Sequence, residues 1–180
     1  MLRTILPFGL ASGLIVALPM FAMLAVDFDH DSWTSSHFFG YTLMLVALSL
    51  VFFGVKRYRD RDRGGVIKFL PAFLLGLGIS AVAGVVYVVG WEITQALTNN
   101  AFITDYPKAM IEAARAKGAS AAEIDKMTAE MAEFSRMYVN PLFRIPMTFI
   151  EIFPVGVVVS VITALVLRNP RVLPARPAVA

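Results

Sequence analysis

Apolar residues run almost unbroken through four stretches, about 5–26, 38–55, 69–91 and 142–167, while between the third and fourth the pattern loosens to the three-to-four spacing of a helix in water. An α-helix rises 1.5 Å per residue, so about 20 residues cross a hydrocarbon core ~30 Å thick. The first, third and fourth stretches reach that length; the second barely does. The predicted fold class is all-α: an integral membrane four-helix bundle with an extramembrane amphipathic helical hairpin between helices 3 and 4. Residues 1–168 are expected to form a single membrane domain, with 169–180 a flexible cytoplasmic tail.

The hairpin occupies about residues 104–139. Asp105 and Pro107 suit a helix start and Gly118 a helix end. Ser120 and Glu123 then have capping-box spacing, in which hydroxyl and carboxylate satisfy free amides at the start of a second helix. Along that helix Ile124, Met127, Met131, Phe134 and Tyr138 form an apolar stripe opposite a charged face. Met110, Ile111 and Ala114 supply the facing surface on the first helix.

Composition agrees with lipid as the main solvent. The chain is 58% hydrophobic and 16% charged, with a mean hydropathy of +0.70, against roughly half apolar and a quarter charged in soluble domains. It has no cysteine, which excludes disulfides, thiolate metal sites and cysteine nucleophiles.

Charge sets the threading. Arg3 precedes the first span; Lys56, Arg57, Arg59, Arg61, Arg63 and Lys68 lie between the second and third; Arg168, Arg171 and Arg176 follow the fourth. The first connection, DFDHDSWTSSH, has neither Lys nor Arg. Because basic residues beside spans stay cytoplasmic, both termini and the short basic loop are expected inside, with the first connection and the hairpin outside. A cleaved signal peptide is the competing reading of the first span. Its apolar run is too long for that, and no A-x-A site follows it.

Small residues recur every fourth position in three spans: Gly9, Gly13 and Ala17; Gly76, Ser80 and Gly84; Gly156, Ser160 and Ala164. Such stripes let helices approach closely, either within one bundle, the reading favoured here, or between copies. Pro7, Pro19, Pro71, Pro146 and Pro154 each remove a backbone bond that a neighbour must replace.

Few side chains suggest chemistry. Asp27, Asp29, His30, Asp31 and His37 offer oxygen and nitrogen donors without the spacing of a metal site. The methionines read as core filler rather than a copper site. No Ser-His-Asp set and no basic-aromatic surface appears, so no enzyme, cofactor or nucleic-acid partner is expected. The basic stretch KRYRDRDRGGVIK reads chiefly as a topological anchor, with attraction for anionic membrane lipids as its functional alternative.

That leaves the charges on the spans. An ionisable group within a membrane costs ~2.5–3.5 kcal/mol at the helix centre on insertion scales and is a functional candidate by default. Counting about 20 residues back from Arg168 puts Glu151 one turn below the outer boundary. The same count from Lys68 puts Glu92 at that boundary, with Tyr87 and Trp91 as its aromatic belt. Arg144, two turns before Glu151 on roughly the same face, is placed to approach either carboxylate. Glu151, Glu92 and Arg144 are therefore the candidate polar cluster, read first as an interfacial clasp under the hairpin.

The segments FFGVKRYRD, GGVIKF, GWEI, KGASAAEI and NPLFRIPMTFIEIFPVG, in that order, resemble the bacterial membrane-protein family catalogued as domain of unknown function 4199. The resemblance runs from about Arg3 to Arg168. It implies a small bacterial integral membrane protein with four helices and carries over no catalytic residue. The expected function is that of a non-enzymatic structural or partner-docking membrane protein, with a homo-oligomer or another membrane protein as partner. A small transporter or proton- or cation-coupled protein using the outer-leaflet carboxylates is the alternative.

Overall fold

The computed structural model describes residues 1–25 and 37–175, with side chains over 1–21 and 40–175. Asp27, Asp29, His30, Asp31 and the side chain of His37 lie outside the described residues. Those residues form six helices and no strand: α1 Leu2–Ala25, α2 His37–Asp62, α3 Phe69–Leu97, α4 Phe102–Ala116, α5 Ala121–Tyr138 and α6 Pro141–Leu167. Four of them, α1, α2, α3 and α6, are long and apolar enough to cross a membrane. The chain groups into two compact units. One comprises Met1–Gly90 and the residues from Phe149 onward, the other Trp91–Thr148.

In the first unit, glycine sets the distance between helices. A Cβ on Gly9 would lie 2.5 Å from Val82 Cβ, and Gly13 meets Val86 in the same way. A Cβ on Gly90 would lie 2.8 Å from that of Ala17, so the whole small-residue stripe of α1 is spent on α3. On its other side α3 meets α6, where Gly76 faces Ser160, Gly84 faces Phe149 and Gly156 faces Ser80. Polar side chains join these contacts. Ser12 donates to the Ala47 carbonyl at 2.7 Å, linking α1 to α2, and the Ser80 and Ser160 hydroxyls lie 3.3 Å apart. With the apolar groups of two helices equally content in lipid, close approach and such hydrogen bonds hold the helices together. Leu48, Val51, Val55, Leu75, Ile79 and Ile152 fill the core, while Leu2, Leu6, Leu10, Leu14 and Leu18 form an exposed stripe on α1 suited to hydrocarbon.

α2 continues past Val55 through KRYRDRD to Asp62. Lys56 and Asp60 pair one turn apart at 2.5 Å, and cations near the carboxyl end of a helix face its negative pole. Gly64 and Gly65 stop it, with φ of 59° and 88°, and the Gly65 amide donates back to the Arg59 carbonyl.

The second unit contains the hairpin. α4 starts at Phe102, before the expected Asp105, and runs straight through Pro107. Proline has no amide to give the carbonyl four residues back, and here the Ser135 hydroxyl of α5 donates to that carbonyl, Ile103, at 3.1 Å. α4 ends at Ala116, and Gly118, φ 80°, turns the chain away, with the Ala119 amide bonded to the Ala114 carbonyl, the Schellman pattern. The capping box then starts α5: Ser120 accepts from the Glu123 amide, and the Glu123 carboxylate accepts from the Ser120 amide at 2.8 Å. Those bonds hold the Glu123 carboxyl below the usual carboxylate range. The predicted stripe faces inward, with Ile124 and Tyr138 buried and Met127, Met131 and Phe134 half-buried.

Candidate functional site

Of the polar cluster expected from the sequence, Glu92 and Arg144 belong to the second unit and Glu151 to the first. In the second, the last two turns of α3 carry Glu92 and the first two turns of α6 carry Arg144. The guanidinium grips both carboxylate oxygens, Nε to Oε1 at 2.7 Å and Nη2 to Oε2 at 2.6 Å. Arg144 Nη1 also points to the Asn100 side-chain oxygen at 3.4 Å and the Tyr138 carbonyl at 3.5 Å. The guanidinium carbon stands 5.9 Å from the centre of the Tyr138 ring, within cation–π range. A bidentate arginine–carboxylate pair is among the stronger and more directional ion pairs. The Arg144 side chain is only 8% exposed, so it is shielded from water, while Glu92 retains 27%.

An aromatic cluster surrounds this pair. Trp91 and Phe102 meet edge to face at 5.1 Å, Phe102 stacks on Tyr106 at 4.9 Å, and Phe134 packs on Tyr138 at 5.1 Å. Trp91 Nε1 donates to the Tyr138 hydroxyl at 2.9 Å. Residues from α3, α4, α5 and α6 are thus fastened at one place. Nearby in sequence, the side-chain amide nitrogen of Gln95 is buried and has no hydrogen-bond partner among the described residues.

In the first unit, Glu151 is exposed on α6 and accepts a hydrogen bond from the Tyr87 hydroxyl at 3.0 Å. Its other carboxylate oxygen has no hydrogen-bond partner among the described residues. Arg144 is committed to Glu92 rather than to Glu151. Tyr87 and Trp91, read from the sequence only as an aromatic belt, are hydrogen-bond donors to Glu151 and Tyr138.

Sequence reasoning missed Asn100, Phe102 and the partnership of Tyr138. Asn99 and Asn100 both adopt positive φ, 52° and 60°, a conformation asparagine tolerates better than most residues. The pair NN after a span was a usable turn signal. Arg59 was also missed, hidden in a run of basic residues: its side chain is completely buried. Among the described residues no group of three metal-ligating side chains comes together.

Four helices long and apolar enough to cross a membrane, with small-residue contacts between them and charged groups held in pairs, define an all-α membrane protein. The chain belongs to the family described as "Protein of unknown function (DUF4199)", whose model matches residues 7–169. Comparison with curated proteins and with solved structures yields no match.

Proposed function

We propose that this is a non-enzymatic protein of the bacterial inner membrane that presents its α4–α5 hairpin, on the outer side, to a protein partner. The observation that carries the reading is the mounting of the hairpin. Arg144 spends its guanidinium on Glu92, Asn100 and the Tyr138 carbonyl, and Trp91 adds a bond to the Tyr138 hydroxyl. Such a constellation makes a rigid platform instead of leaving a charge free for chemistry. The faces turned away from it carry Lys108, Glu112, Lys117, Asp125, Glu130 and Glu133, all exposed. A surface of mixed charge on a rigid helix pair is suited to a polar interface, in which electrostatic complementarity selects the partner. The small-residue stripes lend no weight to a homo-oligomer, since α1, α3 and α6 use them on one another.

Photo-crosslinking amino acids placed at Glu112, Lys117 and Glu130 in native membranes are expected to trap one recurrent protein, whereas the same probe at Leu10, exposed on α1, should not trap it. Adducts of monomer alone at all three hairpin positions would sink the reading.

A second reading rests on Glu151, whose exposed carboxylate holds a hydrogen bond from Tyr87 and keeps an oxygen unpaired among the described residues. Pro154 follows three residues later and leaves the Ile150 carbonyl without its helical amide. A carboxylate and a free carbonyl on adjacent residues suit a proton or a small cation. On this reading Glu151→Gln abolishes proton or cation flux in reconstituted liposomes; unchanged flux would remove it.

A further inference from the structure

An open cavity of about 590 Å³ lies in the first unit beside the last two turns of α2, lined by Lys56, Asp60, Arg61, Leu173, Pro174 and Ala175. Arg59 builds it. Its buried guanidinium donates to the carbonyls of Val172 at 2.9 Å and Leu173 at 2.5 Å, which folds the segment following α6 back onto α2. The sequence presents residues 169–180 as a tail, and two of its carbonyls are held by this clamp. These two bonds tie the apolar wall of Leu173, Pro174 and Ala175 to α2.

The opposite wall is cationic. Asp60 is the one carboxylate among the described lining residues, and it receives both Lys56 Nζ at 2.5 Å and Arg59 Nε at 2.7 Å. Arg61 is exposed and has no ion-pair partner among the described residues. Two cations, Lys56 and Arg61, against one carboxylate, with the buried Arg59 behind them, leave the described lining net positive. It sits at the end of a helix long and apolar enough to cross a membrane, where Lys56 follows directly on the apolar turns and Arg61 lies five residues further on. A positive wall facing an apolar one at that depth matches the chemistry of a phospholipid, whose phosphate lies next to its acyl chains.

We propose that this cavity binds the phosphate group of an anionic phospholipid. Lys56 and Arg61 donate to the phosphate, Leu173 and Pro174 lie along the glycerol and the first methylenes, and Arg59 is the positioning residue that holds the wall. The site is independent of the hairpin and of any partner it docks.

The test separates a built site from diffuse attraction. Arg57 is exposed on the same helix but does not line the cavity. The full chain in a non-ionic detergent is mixed with phosphatidylglycerol, phosphatidylcholine or inorganic phosphate, and bound lipid is read by native mass spectrometry. Wild type is expected to retain phosphatidylglycerol in preference to phosphatidylcholine. Arg61→Gln should lower that retention about fivefold, the effect of one basic residue at a membrane surface, with no comparable loss for Arg57→Gln. Both replacements are at exposed positions, so fold is not at stake. Equal losses in the two variants would mean surface charge alone and overturn the proposal. Equal retention of the two lipids would overturn it as well, and displacement of the lipid by inorganic phosphate at equal concentration would assign the site to the free anion.

Discussion

Arg144→Met is expected to loosen the second unit by about 3 kcal/mol, because breaking a shielded ion pair by removing one partner leaves the other charge uncompensated. The low end of that range applies, since Glu92 keeps part of its exposure. The loss is local. Without the guanidinium, Asn100 and the Tyr138 carbonyl also lose a donor, and the ring cluster of Trp91, Phe102 and Tyr138 loses the cation above it. Limited proteolysis of the hairpin and hydrogen exchange over α4 and α5 would report this. Both should accelerate on the order of a hundredfold if opening precedes cleavage.

Replacing both partners, Arg144→Met with Glu92→Leu, is expected to restore most of the protection, because an apolar pair of similar volume satisfies the same space without desolvating charge. A clasp is indifferent to whether it is ionic. If the double variant recovered its fold but lost crosslinking at the hairpin, the charges themselves would take part in recognition. Were it as exposed to protease as the single variant, the directional bonds to Asn100 and Tyr138 would be the part that matters.

Long apolar stretches announce their helices because a bilayer leaves the backbone no other partner than itself. The capping box at Ser120 and the stop at Gly118 are local chemistry and were readable for the same reason. The choice of Arg144 between Glu92 and Glu151 was not. Two turns along α6 is a distance that counting gives, whereas the approach of α3 to α6 depends on the packing of many side chains. Depth counting supplied the neighbourhood but not the pairing.

Other features were hidden by rules that tertiary structure overrides. Pro107 marked a helix start on local grounds, yet Ser135 supplies the missing donor from another helix and the helix begins earlier. Trp91, Phe102 and Tyr138 share no period, since a turn and two helices separate them, so no scan for amphipathic spacing finds their cluster. Arg59 looked like one more member of a basic run. Only the carbonyls of Val172 and Leu173, more than a hundred positions away, distinguish it from Arg57.

Gly156→Leu is expected to cost about 3 kcal/mol or more, the upper part of the range for overpacking, and to act on the first unit rather than the hairpin. A Cβ at this position would lie 2.6 Å from Ser80 Cβ and 2.8 Å from its hydroxyl. Real Cβ contacts do not come that close, so α3 and α6 must separate. Separation also removes the bond from Ser80 to the Gly156 carbonyl, 3.3 Å long, and the contact between Gly76 and Ser160 that repeats it one seam position away. The unfolding midpoint in a titration with sodium dodecyl sulfate should fall sharply, while Ile162→Leu, at an exposed position of the same helix, should leave it in place. Room made on the other side tests the cause: Ser80→Gly in a Gly156→Ala background is expected to recover stability that Gly156→Ala loses alone, by exchanging which helix carries the small residue. If instead Gly156→Leu left the monomer's midpoint unchanged and dissolved a crosslinkable dimer, the stripe would belong between copies and not to the contact of α3 with α6.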